Sequence, residues 1–483
     1  MSDRFYLCAD AGTTCLKLAL FEAGGRIIGT YAAFLESRVS DSGESEMDME
    51  GLWSAFQAGV GELGNRSPEN RDALQRLSGI GICAQGDGFW PLDAERRPFR
   101  PAILWNDTRA RDLMPKVEEK LGALYAQKRT AAQFSGANAV LLRWLKDEMP
   151  VDYHRTAHVL HCKDWLNYRL TGEIATDFSD AGTSLFSRVD GAYDFSALEI
   201  LGVAEKAAAF PPVFASGETV GRTRPEVLPF VPEGVPVIAG SLDLVAASLG
   251  LGQSQPEETL AILGTTFCTL QVVPDDAIEH WPALGSILFS LIPGRSLRLL
   301  ASLNGAGVLD WGRRVLGNLS IEDAEAEAEA VPPGCEGIGF FPCIYGERAP
   351  FRDPMGCGAF VGLRVHHGRG HMLRAVYEGL ALMTRASLLE MPRFPSSLGL
   401  TGGASRSPLL CRILADCLQI PIRRVASREP GLEGIFRILT GRIEERGETE
   451  RSFLPGDPEL YRIAIQRFDG LLENREIFKN RGR

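Results

Sequence analysis

Two places in this 483-residue chain share one pattern, in which a short apolar strand ends in a turn rich in glycine and threonine and a second strand follows at once. The first passes through Asp10-Ala11-Gly12-Thr13-Thr14, and the second through Gly264-Thr265-Thr266. Successive backbone N–H groups in such turns form a concave site for anions. The pattern predicts two lobes that open in the same way, as expected from a duplication at the level of the fold.

Strand and helix patterns alternate along the rest of the chain, which predicts an α/β fold. Because single cores stop growing at about 250–300 residues, a chain of this length needs two or three lobes. The strand–turn pattern restarts just after residue 252, so we expect an N-terminal lobe over 1–252 and a C-terminal lobe over 253–483. The tail after Arg442 is only weakly patterned.

Composition excludes several classes of protein. The net charge is -11 and the sequence pI is about 5.3, so the surface repels nucleic acid and anionic membranes. Ten scattered cysteines without a CxxC pair indicate a reducing cytoplasm, and no apolar run is long enough to span a membrane. The oligomeric state stays open, with a homodimer as one option.

The turn after the first strand combines a carboxylate with phosphate-binding features. Asp10 ends the strand, where it can hold Mg²⁺ through water, and Gly12 permits close approach of a phosphate. Thr13 and Thr14 add hydroxyl and amide donors, and Lys17 follows three residues later. We expect a site for the metal and the phosphates of a nucleotide here, with a plain β-hairpin as the alternative.

The second lobe offers two comparable turns. Gly264, Thr265 and Thr266 repeat the Gly-Thr-Thr pattern of the first turn and are again expected to bind phosphate, with a hairpin as the alternative. Gly402-Gly403-Ala404 follows an apolar strand, and paired glycines permit contact with the flat ring of a nucleoside. Ser407 lies next to them, where it also suits the cap of a helix that begins at Pro408.

Asp243 is the sharpest candidate for a catalytic residue. It follows the strand 236–239 and stands where a turn enters a helix. A carboxylate at that place is stabilised by the helix dipole, so an ordinary N-cap is an equally good interpretation of the residue alone. As a base, it would accept the proton of a hydroxyl group that attacks a phosphoryl group.

The segment after the strand 80–84 suggests a binding site for a polyol. Gln85, Gly86 and Asp87 supply amide and carboxylate groups for vicinal hydroxyls, and Trp90 supplies a ring for stacking. Asp107 lies in a similar but weaker stretch. The stretch His161–Trp165 is weaker still, because a capped helix explains it almost as well. A polar turn between strands is the alternative for the first segment.

Taken in order, these segments resemble the FGGY carbohydrate kinases. The resemblance rests on DAGTTCLK, GICAQGDGFWPLD, IAGSLDLVAASLGLG, LAILGTT, GERAPFRDPMGCGAFVGL and LTGGASRSPLLCRILADCLQIPI, which span residues from about 10 to 422. It implies a two-lobed actin-like ATPase fold with ribonuclease-H-like cores and a central cleft for nucleotide and substrate. Within the family, AQGDGFWPLD and HCKDWLNYRLTG look most like erythritol kinases, and AQGxG with GSLDLV is similar to L-xylulose kinases.

The resemblance also implies roles for single residues. Asp10 would serve Mg²⁺, the two threonine turns the phosphates of ATP, and Gly402–Ala404 the adenosine. Asp243 falls at the position of the family's catalytic aspartate, and Gln85 and Asp87 fall in its substrate loop. One departure is the segment 430–437, PGLEGIFR, where the family usually carries a helix of small residues; bulkier side chains there would narrow the nucleotide site.

The favoured function is thus ATP-dependent phosphorylation of a hydroxyl of a small sugar or polyol, such as erythritol, L-xylulose or a related pentulose or pentitol. Two alternatives remain at this point. One is an actin-like or chaperone-type ATPase that binds a protein, and the other is a non-catalytic sugar sensor that retains the fold. Stimulation of ADP release by a polyol rather than by a peptide separates the kinase from the first, and nucleotide binding separates it from the second.

Overall fold

The computed structural model describes residues 4–40, 42–128, 131, 133–278, 284–353, 355–425, 427 and 429–478. The chain forms two compact units. The first contains residues 1–252, 288–293 and 428–445, and the second contains 253–287, 294–427 and 446–483. Two short segments from beyond residue 252 therefore belong to the first unit.

A seven-stranded sheet organises the first unit. Its central strands are β1 and β4, and their apolar residues alternate little because both faces are covered. The sheet order is β5-β6-β4-β1-β2-β3, and β7 also pairs with β4. The strands are β1 Phe5–Ala11, β2 Cys15–Glu22, β3 Ile27–Phe34, β4 Leu77–Ala84, β5 Thr219–Arg222, β6 Pro236–Ile238 and β7 Ser241–Leu242.

Three parallel strands of this sheet end side by side. Strand β4 runs parallel to β1, with Cys83 opposite Asp10, and parallel to β7, with Cys83 opposite Ser241. The turns that follow the three strands therefore leave the same edge of the sheet. In open α/β sheets this carboxyl edge is where ligands bind.

The second unit contains another seven-stranded sheet, in the order β10-β11-β9-β8-β12-β13-β14. The first of these strands in the chain, β8, pairs antiparallel with β9 and parallel with β12, just as β1 pairs antiparallel with β2 and parallel with β4. This matches the expected duplication at the level of the fold. The strands are β8 Thr259–Leu263, β9 Phe267–Pro274, β10 Ser286–Phe289, β11 Arg295–Ser302, β12 Leu398–Thr401, β13 Ile422–Val425 and β14 Thr449–Phe453.

Shorter strands lie outside the two main sheets. They pair as Ser37–Val39, Ser45–Met47 and Ala102–Ile103, as Trp90–Leu92 with His158–Leu160, as Thr176–Asp177 with Val213–Phe214, as Phe186–Ser187 with Ala192–Tyr193, and as Gly339–Phe341 with Ala359–Val361.

Fifteen α-helices lie in the described part of the chain. They are α1 Met49–Arg66, α2 Pro68–Gln75, α3 Met114–Lys128, α4 Asn138–Glu148, α5 Pro150–Arg155, α6 Cys162–Thr171, α7 Phe178–Ala181, α8 Ser196–Leu201, α9 Asp243–Gly250, α10 Ala306–Val315, α11 Ile321–Glu329, α12 Arg369–Leu389, α13 Pro408–Leu418, α14 Pro430–Thr440 and α15 Arg462–Glu473. None of the described helices combines the length and apolarity needed to cross a membrane.

Helix α14 packs in the first unit although it follows β13 of the second sheet. Its bulky residues Leu432, Ile435 and Phe436 are buried in a cluster with residues of β1 and β2, where Phe436 stacks on Phe21 with ring centroids 4.6 Å apart. The sequence suggested that bulky residues here narrow a nucleotide site. Instead they fill the core of the first unit. The small residue Gly434 stands on the side of the helix that meets α9.

We expect Gly434→Ala to destabilise the first unit by about 1–3 kcal/mol, because overpacking forces the backbone to shift. A Cβ atom at Gly434 would lie 1.9 Å from the backbone oxygen of Ala246. Gly470→Ala in helix α15 is the matched control, since no atom lies within 4 Å of its added Cβ, and it should gain roughly 1 kcal/mol of helix propensity. Denaturant unfolding measures both, and equal effects would contradict the packing argument.

The tail after Arg442, which is weakly patterned in sequence, is well structured over residues 446–478. It contributes β14 and α15 to the second unit. Phe468 is buried in the main cluster of that unit, and Arg374 of α12 donates a hydrogen bond of 2.5 Å to the Tyr461 hydroxyl.

Candidate active site

Two carboxylates of the first unit lie at the carboxyl ends of β1 and β7, the two strands that flank the end of β4. Asp10 is the penultimate residue of β1, and Asp243 follows β7 as the first residue of α9. Burial raises the pKa of Asp10 to about 6, and Lys17 lowers it in part. Burial also raises the pKa of Asp243 to about 8, and the negative charge of Asp10 adds to this rise. The two carboxylates therefore repel each other, which a bound cation would relieve.

Asp243 is not the N-cap that the sequence allowed as an alternative. The N-cap position is Leu242, and the Asp243 Oδ1 atom accepts a hydrogen bond of 2.6 Å from the Leu244 amide. This bond and the first turn of α9 hold the carboxylate in one orientation.

The first threonine turn connects to the loop after β4 through side chains. The Thr13 hydroxyl donates to the Gln85 Oε1 atom at 3.0 Å and accepts a bond from the Trp105 indole at 3.2 Å. The Gly12 amide donates to the Cys15 carbonyl, and Thr14 is exposed. The turn is therefore a tight connection between β1 and β2, with Thr13 partly exposed and Thr14 exposed.

Lys17 has a partner that its sequence position did not predict. The Lys17 Nζ atom lies 2.7 Å from Glu429, which immediately precedes α14. Next to it, Gly431 approaches Asp10 so closely that a Cβ atom would lie 2.5 Å from a carboxylate oxygen. Lys17 would have to exchange Glu429 for a phosphate in order to bind a nucleotide.

The loop after β4 is polar and strained. The Gln85 side chain is only 3% exposed, and its Nε2 atom has no hydrogen-bond partner among the described residues. Asp87 adopts a left-handed backbone with φ of 54°, and burial raises its pKa to about 7. Gly88 is also left-handed, and a Cβ atom there would lie 2.6 Å from the Ile103 carbonyl. Such strain persists only where the surroundings enforce it, typically at functional sites.

Two residues expected to contact the substrate are structural instead. Trp90 is fully buried in the hydrophobic cluster around the first sheet, so its ring cannot stack on a sugar. Asp107 is also fully buried, and its oxygens accept hydrogen bonds from Arg109 and from the Ser45 amide. The indole that keeps an exposed face is that of Trp105, at 36% exposure.

A buried layer of charge lies in the first unit, and sequence reasoning missed it. The Lys163 ammonium is fully buried and lies 2.6 Å from Asp164, 3.0 Å from Asp177 and 2.9 Å from Asp180. Burial alone would raise the pKa of Asp164, but Lys163 holds it well below its usual range. The lysine and two of the aspartates stand 14–17 positions apart, so no local motif signals the cluster.

His161 belongs to this layer. Its Nδ1 atom lies 3.0 Å from Asp164, and one atom each of His161, Asp164 and Asp180 lie within 4.8 Å of one another. That spacing suits a metal ion, but the Lys163 ammonium already supplies the positive charge. A second such group, Glu336 with His366 and His367, lies in the second unit and is mostly exposed.

In the second unit, Gly264–Thr266 follows β8 and is closed by the next helix. The Gly264 carbonyl accepts a bond of 2.7 Å from the Ala306 amide at the start of α10. Gly305 is required there, because a Cβ atom would lie 2.3 Å from the Thr266 carbonyl. Thr265 and Thr266 are exposed.

The glycine pair follows β12, which lies parallel to β8. Gly402 is left-handed with φ of 93°, and a Cβ atom there would lie 2.4 Å from the Leu263 carbonyl. Gly403 has open space where a side chain would be, and Ala404 is buried. Ser407 caps α13 by accepting a bond from the Leu410 amide, and it also donates to Glu325.

Carboxylates and hydroxyl-rich turns at the carboxyl ends of parallel strands are the features of an enzyme that handles phosphate groups. The N-terminal domain of the FGGY family of carbohydrate kinases matches residues 5–250, and its C-terminal domain matches residues 298–438. The chain therefore belongs to the FGGY family of carbohydrate kinases and has the two-lobed actin-like ATPase fold.

Known relatives and a solved structure match this chain over most of its length. A probable L-xylulose kinase of Pasteurella multocida is 29% identical over 97% of this chain and 98% of that relative. An erythritol kinase of Brucella abortus is 27% identical over 88% of this chain and 85% of that relative. The crystal structure of a xyloylose kinase from Brucella ovis has a TM-score of 0.87 at 26% identity and covers 98% of this chain and 100% of that one.

Proposed function

We propose that this carbohydrate kinase transfers the γ-phosphoryl group of ATP to a hydroxyl of a small neutral polyol or ketose, with Asp243 as the base. The observation that carries the proposal is the register of β1, β4 and β7. It brings Asp10, the loop Gln85–Asp87 and Asp243 to one edge of one sheet. A metal ligand, a polyol-binding loop and a base are the groups that such a transfer needs.

Asp243 would take the proton of the substrate hydroxyl as that oxygen bonds to the γ-phosphorus atom. The bond from this phosphorus to the bridging oxygen breaks, and its electrons leave with ADP. The raised pKa of Asp243 brings its basicity near neutral pH, where a general base is most effective. Gln85 and Asp87 would hold the neighbouring hydroxyls.

Several turns of the chain are proposed to bind ATP. Gly12, Thr13 and Thr14 with Lys17 in the first unit, and Gly264, Thr265 and Thr266 in the second, are proposed to bind its phosphates. Gly402, Gly403 and Ala404 are proposed to lie by the adenosine, since Gly403 leaves open space. Ser407, engaged as a helix cap, would contribute through the backbone position it fixes.

Asp10 fits a magnesium ion. Mg²⁺ prefers carboxylate oxygens and retained waters, and the mutual repulsion of Asp10 and Asp243 favours a cation beside them. When bound, the ion would neutralise charge on the phosphate oxygens. A reducing cytoplasm is the proposed compartment, since all ten cysteines are free thiols.

The charges around the site favour a neutral substrate. The charged groups that act most strongly on Asp243 are the carboxylates of Asp10, Asp180 and Asp87. One relative at 29% identity is an L-xylulose/3-keto-L-gulonate kinase of Escherichia coli, which is named for a neutral sugar and a sugar acid. Here a substrate carboxylate would face like charges, and such a pair costs several kcal/mol at close range.

We therefore expect erythritol or L-xylulose to be phosphorylated with a kcat/KM at least roughly 10-fold above that of a sugar acid of the same length. A coupled ADP-release screen should compare erythritol with erythronate and xylitol with xylonate, alongside L-xylulose and glycerol. Each pair differs only in the terminal carboxylate. Equal or better turnover of the acids would contradict the neutral-substrate assignment, and no ADP release with any compound would contradict the proposed function.

A further inference from the structure

His161 is held in place by Asp164. One oxygen of Asp164 accepts hydrogen bonds of 3.0 Å from both the backbone amide and the Nδ1 atom of His161. The hydrogen bond from the backbone amide is enough to cap helix α6, and any residue except proline could donate it. What the imidazole adds is a fixed ring with its Nε2 atom pointing away from Asp164.

The Nε2 atom of His161 has no use in the fold. It is buried and has no hydrogen-bond partner among the described residues. Leaving such a group unpaired costs about 1–3 kcal/mol. Burial alone would lower the pKa of His161, but Asp180 and Asp164 raise it above its usual value, which favours the charged ring with a proton on Nε2.

The substrate loop lies against this charged layer. A Cβ atom at Gly86 would lie 3.1 Å from the Oδ1 atom of Asp180, which itself has no hydrogen-bond partner among the described residues. Next in the chain, Asp87 feels both groups, because the His161 charge lowers its pKa and Asp180 raises it. His161 is therefore the cation that opposes burial of the Asp87 carboxylate.

Asp87 needs such support. Its left-handed backbone is unfavourable for a residue other than glycine, and its carboxylate is largely removed from water. The positive charge of His161 favours the ionised form of the group, as does a hydrogen bond with Thr183. An ionised carboxylate is a stronger hydrogen-bond acceptor for a hydroxyl than a neutral acid is.

We propose that His161 is a positioning residue of the substrate site: its ring, fixed by Asp164, keeps the Asp87 carboxylate ionised and oriented to accept a hydrogen bond from a substrate hydroxyl. The inference rests on the proposed function, since it concerns the same substrate loop. Other charged groups face the pair. Lys163, Asp164 and Asp180 act on His161, Asp177 pairs with Lys163, and Asp243 feels the charges of Asp87 and Asp180.

His161→Gln tests the role, because glutamine retains a donor for Asp164 but carries no charge. We expect the KM for the sugar to rise at least roughly 10-fold, with the KM for ATP nearly unchanged. The melting temperature should fall less than in a variant without Lys163, because Lys163 still pairs with Asp164 and Asp180. His158→Gln is the matched control, since His158 stands three residues earlier, is half-buried and faces the charge of Arg96 instead. It should leave both KM values unchanged.

The pH dependence separates positioning from a structural role. In the wild type, sugar affinity should fall as the pH drops through about 7, where Asp87 takes up a proton. Without the His161 charge the pKa of Asp87 rises further, so in His161→Gln the same fall should begin at higher pH. An unshifted profile, or an equal loss of ATP affinity, would overturn the proposal.

A double-mutant cycle with Asp87→Asn gives a second route. If His161 acts through Asp87, His161→Gln should change sugar affinity little once residue 87 is asparagine, whereas additive effects would overturn the proposal. Sugar binding measured by calorimetry does not require turnover. A wild type that binds sugar without phosphorylating it would therefore refute the proposed function while the cycle still decides the role of His161.

Discussion

Asp243→Asn should lower kcat by roughly 10³- to 10⁴-fold while sugar and MgATP still bind. Asparagine has the same shape, and its oxygen can still accept the bond from the Leu244 amide, so α9 should start unchanged. It cannot take up the proton of the attacking hydroxyl. Steady-state ADP release gives the rate, and isothermal titration of each ligand gives the binding.

The pH profile of the wild type adds an independent check. Because the pKa of Asp243 is raised to about 8, the free enzyme holds this group protonated at neutral pH. The value of kcat/KM should therefore rise with pH and level off above about 8, and the residual rate of Asp243→Asn should lack this rise. The control is Asp72→Asn, which should stay near the wild-type rate. Asp72 lies on α2 and forms an exposed ion pair with Arg76. A rate for Asp243→Asn within 10-fold of the wild type would rule out the assignment.

Lys163→Met should destabilise the first unit by about 3–5 kcal/mol. Methionine fills a similar volume, but it leaves the carboxylates of Asp164, Asp177 and Asp180 buried without their common cation. Lys146→Met is the matched control. Its ammonium pairs with Glu205 at the surface, where such pairs contribute about 1 kcal/mol or less.

Two further measurements identify charge as the cause. Burial acts to raise the pKa of Asp164 and of Asp180, and Lys163 is the largest influence that lowers both, so without Lys163 both pKa values in the folded state should rise. The stability deficit should then be smaller at pH 5 than at pH 8, because protonation removes the unpaired charges. Asp180→Asn should recover part of the stability in the Lys163→Met background. A melting temperature for Lys163→Met equal to that of the control would contradict the buried-layer interpretation.

The edge of each sheet was predictable because its signals are local. Apolar runs that stop at Asp10-Ala11-Gly12 or Gly264-Thr265-Thr266 mark strand ends, and short connections then fix the neighbouring strand. The family resemblance rested on the same stretches and is confirmed. The roles of Asp243 and of the phosphate turns stay predictions that the proposed variants test.

Other features depend on distant parts of the chain and left no local signal. Trp90 and Trp105 each lie next to a polar stretch, but only strand pairing decides that the first is buried and the second half-exposed. The cation Lys163 meets Asp177 and Asp180 only after the intervening chain has folded. Helix α14 packs against a sheet whose last strand ends nearly 190 residues earlier in the chain.

That return of α14 has a consequence for synthesis on the ribosome. The first unit is unfinished when residue 252 has been made, because α14 and Glu445 emerge roughly 190 residues later, on the order of 10–40 s at typical rates of translation. Until then Tyr6 and Phe21 lack the helix that covers them. The nascent chain must keep this apolar face from aggregating, so the amino-terminal unit can complete its folding only after most of the second unit has been translated.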